Sequence, residues 1–152
     1  MKRPTALLLG AAVVSLGAVG TALVTQHVFG MQPCPWCVLQ RLIFVSIAAS
    51  ALLGLLLRPL GGLLMLALAL SGASAALWQH FVAAASASCN LTLADRVVGS
   101  TGLDYLLPQV FAAYASCAEA AAKLLGVPYE FYSLALFVGL FACAVLVLRR
   151  PT

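Results

Sequence analysis

The sequence predicts an all-α membrane protein: an up-and-down bundle of four transmembrane helices with a long outer loop that contains short helices. Three observations predict it. Of the 152 residues, 64% are hydrophobic and 8% charged, whereas soluble domains are about 45–50% apolar and about 25% charged. Four runs carry no Asp, Glu, Lys or Arg: Leu7 to Val24, Leu42 to Leu57, Leu60 to about Phe81, and Phe131 to Leu148. With their flanks, each supplies the roughly 20 helical residues that cross a hydrocarbon layer of about 30 Å. Finally, Lys2, Arg3, Arg58, Arg149 and Arg150 all fall on one side of a four-pass chain, which the positive-inside rule makes the cytoplasmic side.

These observations place helices at about 6–26, 38–57, 60–82 and 130–148 of a single integral membrane domain, 1–152. Outer loops fall at about 27–37 and 83–129, and both termini lie inside. The first run follows the basic start "MKRP", as a signal peptide would. Its apolar part is longer than the usual 7 to 15 residues or so and no A-x-A site closes it, so it reads as helix one. The stretch "LLLRPLGG" (55–62) has a charge, a Pro and two Gly, turn chemistry for a short connection. The net charge of +4 is spread along the ends of apolar runs. It therefore orients the chain and argues against nucleic-acid binding.

This topology sorts the five cysteines. Cys34 and Cys37, in "CPWC", lie at the outer mouth of helix two, Cys89 and Cys117 in the long outer loop, and Cys143 inside helix four. Four thiols thus face the side where disulfides persist. Cys34 and Cys37 form a natural couple, leaving Cys89 with Cys117. The second pair is long-range enough to staple the loop, whereas a bridge closing so small a ring as Cys34–Cys37 restrains the unfolded chain little. Redox work is the better reading of "CPWC". Cys37 is in the first turn of helix two, where unpaired N–H groups favour a thiolate, and Arg41 is one turn further on. Trp36 suits the aromatic belt of a membrane surface. Zinc would need a second knuckle, which the separation of Cys89 from Cys117 does not offer, and c-type haem would need His where Val38 stands. No metal is expected.

Arg41 begins an apolar run, a position that costs free energy unless the side chain snorkels or works. Its functional reading is an electropositive partner for a thiolate and for an acceptor oxygen that gains charge on reduction. A lipid-soluble acceptor, a quinone, suits such a site. Cys143, between Ala142 and Ala144, reads as an inert buried thiol.

The segments "QHVFGMQPCPWCVLQR", "WQHFVAAASASC", "LPQVFAAYASCAE" and "LLGVPYEFYSL" resemble, in order and spacing, the DsbB family of bacterial disulfide bond formation proteins, from about residue 21 to the end of helix four. The resemblance implies a thiol:quinone oxidoreductase of the bacterial inner membrane, with its cysteine pairs periplasmic. Such an enzyme reoxidises a DsbA-like periplasmic thiol oxidase and delivers the electrons to ubiquinone or menaquinone. It implies catalytic roles for Cys34, Cys37, Cys89 and Cys117, with Cys89 attacked by the partner, Cys117 exchanging with Cys34, and Cys37 facing the quinone. Arg41 and His80 would lie beside the quinone with Cys37; His27 is explained by its position at a helix end. Gln40 stands where the best-known relatives have Glu, and Pro-Trp is an unusual filling of the motif. DsbA is a strong oxidant, about −120 mV, so its reoxidation requires a better electron sink downstream, which a quinone pool supplies. The alternative is a relative of the vitamin K epoxide reductases, which should carry the motif on the last helix.

Within the long loop, Leu103, Leu106, Leu107, Val110, Phe111 and Tyr114 share one helical face, consistent with a surface helix bent at Pro108 or packed on the bundle. "CAEAAAKLLG" (117–126) reads as a helix with Glu119 and Lys123 paired at i, i+4 and Gly126 beyond its end. Gly99, Gly102 and the Ser-rich "ASASC" leave Cys89 room to move between partners.

Overall fold

A computed structural model describes residues 3–85 and 92–149. Among them, four helices are long and apolar enough to cross a membrane. They are α1 (Arg3–His27), α2 (Pro35–Leu56), α3 (Arg58–Trp78), which continues as a π-helical turn over Gln79–Ala83, and α7 (Tyr129–Arg149). α1 packs on α2, α2 on α3, α3 on α7 and α7 on α1, closing a four-helix ring. Cys89 lies outside the described residues, and so does the expectation of its mobility.

The spans carry apolar side chains on inward and outward faces alike, as expected where lipid is as apolar as the core, and Leu8, Ile47, Met65 and Phe137 are buried at its centre. Ala11, Ala12, Ala69 and Ala144 face inward, while Val13, Leu16, Leu63, Leu70, Val138 and Leu146 face outward. At mid-bundle Phe137 stacks on Phe44, ring centroids 4.2 Å apart and 9° from parallel. Gly72 makes this possible, because a Cβ there would run into the Phe137 ring.

The α2–α3 connection is shorter than its turn-like composition suggests. Leu57 alone links the helices, and Pro59 sits in the first turn of α3, where a missing N–H costs nothing. Gly61 and Gly62 are helical. A Cβ on Gly61 would strike the Gly54 backbone, so this glycine serves close helix packing and not the turn.

The long loop departs from expectation in three places. A helix not foreseen, α4 (Leu93–Thr101), starts with a capping box in which Thr92 Oγ1 accepts from Asp95 N and Asp95 Oδ2 accepts from Thr92 N. It stops at Gly102, φ 70°, and lays buried Ala94 and Val98 inward as it packs on α2. The expected helix from Leu103 to Tyr114 is two single turns, α5 (Leu103–Leu106) and α6 (Pro108–Phe111). Pro108 excludes its predecessor from the helical region, and Leu107 accordingly has φ −130°, ψ 64°. Phe111 is buried while Leu106 is exposed.

The expected helix over 117–126 is replaced by a turn, Cys117–Ala120, and a hairpin of β1 (Lys123–Leu124) and β2 (Val127–Pro128). Leu125 and Gly126 both have positive φ, 52° and 80°, the signature of a tight two-residue hairpin turn. The Ala122 carbonyl, which a helix would bond to Gly126, accepts instead from Tyr129 N at 3.0 Å. Glu119 binds Ser116 rather than Lys123.

Candidate functional site: a row of three sulfurs between two cavities

The sequence Cys-Pro-Trp-Cys builds its own geometry. Cys34 is the N-cap of α2 in extended conformation, Pro35 starts the helix, and Cys37 arrives in the first turn, where its N–H is unpaired. Cys34 Sγ accepts that N–H at 3.3 Å and lies 2.8 Å from Cys37 Sγ.

Tertiary structure adds the third sulfur. Tyr114 N and Ala115 N both donate to the Pro33 carbonyl, at 3.0 and 3.2 Å, pinning the loop beside the residue that precedes Cys34. Ser116 and Glu119 then make a reciprocal cap: Glu119 Oε2 accepts from Ser116 N at 2.9 Å, and Glu119 N donates to Ser116 Oγ at 3.2 Å. The turn they hold carries Cys117, whose Sγ is 2.8 Å from Cys34 Sγ. Cys34 is fully buried. Hydrogen bonding with Cys117, then with Cys37, and burial hold its thiol above the ordinary range.

The row runs between two cavities. Cys117 borders the larger, about 1530 Å³, which Trp36, Trp78, Tyr114 and the loop enclose. Cys37 borders the smaller, about 550 Å³, between α1, α2 and α7. Cys34 touches neither wall. Trp36 is buried, its ring 6.2 Å from that of Trp78, so it packs within the protein instead of lying in the expected surface belt.

The model of the family "Disulfide bond formation protein DsbB" matches residues 3–147. This chain belongs to the DsbB family. It is 32% identical over 154 residues to disulfide bond formation protein B of Aromatoleum aromaticum, covering 95% of this chain and 92% of that one. It is 36% identical over 157 residues to that of Ralstonia nicotianae, with 91% and 90% covered. Family membership makes this multi-pass membrane protein an oxidoreductase of disulfide bond formation.

In this DsbB chain Arg41 is only 6% exposed, and the cost of burial is met by hydrogen bonds. Its guanidinium donates to Gln26 Oε1 at 2.6 Å, to the Val110 carbonyl at 3.0 Å and to the Ala22 carbonyl at 3.3 Å, tying together α1, α2 and α6. A guanidinium carries five N–H donors, more than these acceptors use. Arg41 shares the small cavity with Cys37, Gln40 and Gln79, against apolar walls from Val14, Ala18, Phe44 and Leu136. A flat apolar ring with two carbonyl acceptors fits this set: fixed donors gathered by the sulfur, hydrocarbon elsewhere, all at the level of the spanning helices.

His80 is not in that wall. It stands behind Glu130, which is: His80 Nδ1 and Glu130 Oε1 are 2.6 Å apart, and the imidazole packs on Phe81 and Phe131. His27 lies 3.3 Å from the Gln109 carbonyl, away from the sulfurs' walls. Cys143 faces the Leu7 carbonyl at 3.5 Å and lines neither cavity.

Sequence reasoning missed Gln79, Gln26 and Glu130. Gln79 Nε2 donates to Cys37 Sγ at 3.3 Å while its Oε1 accepts from Gln40 Nε2 at 2.6 Å. The signal was available, since uncharged polar residues within or beside a membrane span seek partners. What it lacked was a way to say which partners.

Proposed function

We propose that this DsbB-family chain is a thiol:quinone oxidoreductase that reoxidises a DsbA-type dithiol protein and delivers the electron pair to membrane quinone. The observation that carries the reading is the sulfur row, with Cys34 2.8 Å from each neighbour and the end sulfurs on separate cavities. A disulfide is about 2.05 Å long, so closing either bond to Cys34 takes a shift of under about 1 Å. The chain would sit in the bacterial inner membrane with the sulfur end periplasmic and both termini cytoplasmic, as the basic residues favour.

The exchange sequence starts from disulfides Cys89–Cys117 and Cys34–Cys37. A thiolate of the reduced partner attacks Cys89; a bond forms between them and Cys117 leaves as thiolate. Cys117 attacks Cys34, and Cys37 leaves as thiolate at the small cavity. The partner's second thiolate displaces Cys89, releasing the partner oxidised. Cys89 then displaces Cys34 from Cys117, and Cys34 rebonds to Cys37 as the electron pair departs. A bound quinone supplies the acceptor, taking two electrons and two protons for each disulfide made. Arg41 would hold it by charge and hydrogen bonds, and Gln79 and Gln40 would fix the sulfur that faces it.

Motif position also separates this reading from a vitamin K epoxide reductase-like enzyme: "CPWC" opens the second spanning helix, not the last. The test is purification with quinone. A Cys37-dependent visible absorption band, lost in Cys37→Ser and weakened in Arg41→Ala, is expected, together with turnover of a reduced dithiol oxidase. Absence of both under every redox condition overturns the reading.

A further inference from the structure

The oxidation of two thiols releases two protons on the sulfur side, and reduction of a quinone consumes two in the small cavity. Resting on the function proposed above, the site therefore requires a proton supply, which the sulfur row does not provide once its thiols react as thiolates. Arg41 cannot serve, being permanently charged. Tyr132 donates its hydroxyl to the Leu124 carbonyl at 2.7 Å, and the Tyr129 hydroxyl lies 3.4 Å from Thr25 Oγ1. Glu130 is different. It borders the cavity, is 5% exposed, and its carboxylate meets His80, whose side chain is 31% exposed. Cavity, carboxyl, imidazole and exterior thus follow one another with a single short hydrogen bond between the two side chains.

We propose that Glu130 donates protons into the small cavity and that His80 recharges it from the aqueous side. Each proton leaves the Glu130 carboxyl for an oxygen of the reduced acceptor, and the resulting carboxylate takes a proton from His80, which regains one from solvent. Two such transfers balance the two electrons brought by Cys37. The same π-helical turn, Gln79–Ala83, sets both halves of the chemistry, since it carries Gln79 to Cys37 and His80 to Glu130. The titratable groups facing Glu130 are Cys37 and Arg41 from α2, His80 from the π-helical turn, and Tyr129 and Tyr132 from α7. α1 and β1 contribute Thr21, Leu124 and apolar side chains to the wall.

The test uses the full chain in nanodiscs, with dithiothreitol as donor and a short-chain ubiquinone as acceptor. It follows ubiquinone reduction against pH in H2O and D2O, and the infrared carboxyl band of quinone-free protein. General acid catalysis of this kind contributes about 100-fold or more. Glu130→Gln should slow ubiquinone reduction by about that factor, most at alkaline pH, with the Cys37-dependent visible band retained; Glu130→Asp should stay within about 10-fold of the parent. His80→Ala should slow reduction with rescue by added imidazole, and in quinone-free protein should delay deuterium exchange of the Glu130 carboxyl.

An unchanged rate and pH profile in Glu130→Gln, or loss of the visible band along with the rate, overturns the proposal, as does carboxyl exchange indifferent to His80. Should the parent protein reduce no quinone, the function proposed above falls, and the infrared exchange still decides the His80-to-Glu130 path by itself.

Discussion

Cys117 Sγ lies 2.8 Å from Cys34 Sγ across 83 residues of chain, and Cys34 is as close to Cys37. One buried sulfur can therefore bond on either side, and removing one neighbour should commit it to the other. With Cys89 replaced by Ala so that Cys117 has no other partner, Cys37→Ala is expected to give a Cys34–Cys117 bridge on mild oxidation; Cys117→Ala in the same background should give a Cys34–Cys37 bridge. Peptide mapping by mass spectrometry of non-reduced digests reads both, and failure to find a Cys34–Cys117 peptide would contradict the arrangement.

Arg41 bonds three oxygens on two other elements. Arg41→Leu strands the buried Gln26 side chain, at about 1–3 kcal/mol for a polar group left unsatisfied, and takes a donor from the part-buried Val110 carbonyl, whereas the Ala22 carbonyl keeps the Thr25 hydroxyl at 2.9 Å. A lower midpoint of thermal unfolding is expected, with weaker quinone binding by titration. Arg41→Lys should recover only part of either, because one ammonium cannot span the planar fork.

The Glu119 carboxyl is held below the ordinary carboxylate range, first by the Ser116 N–H and then by the Ser116 hydroxyl. A depressed folded-state value means that the cap is fully effective above the unfolded pKa, about 4.3, and fades as pH falls through the folded value. At pH 7 the Ser116 amide should exchange hydrogen faster in Glu119→Gln than in the parent. The difference should close in acid below the usual carboxylate range, as hydrogen-exchange mass spectrometry can follow; equal rates at pH 7 would remove the cap's role in holding Cys117.

Gly72 leaves the space that Phe137 fills. Gly72→Val should displace that ring from its stack on Phe44 and destabilise the bundle by about 1–3 kcal/mol, the usual cost of overpacking. Reversible unfolding in mixed micelles would measure it. Gly139, whose added Cβ would meet nothing within 4 Å, should accept Ala with little change.

By itself the sequence determined the four spans, because helical rise and bilayer thickness leave few solutions for such long apolar runs. It also placed "CPWC" at the mouth of the second span, with N-cap and first-turn positions that follow from local chain geometry. Two reciprocal caps, Thr92 with Asp95 and Ser116 with Glu119, were equally local and could have been read. The 117–126 segment could not be settled that way: its helix-forming residues were overruled when Tyr129 N took the Ala122 carbonyl and a hairpin formed. Only the tertiary structure brought Cys117 to Cys34, Gln79 to Cys37 and His80 to Glu130. Those contacts join segments 83, 42 and 50 residues apart, and such pairings depend on how whole helices pack and where the loop is pinned, which no local pattern of residues encodes.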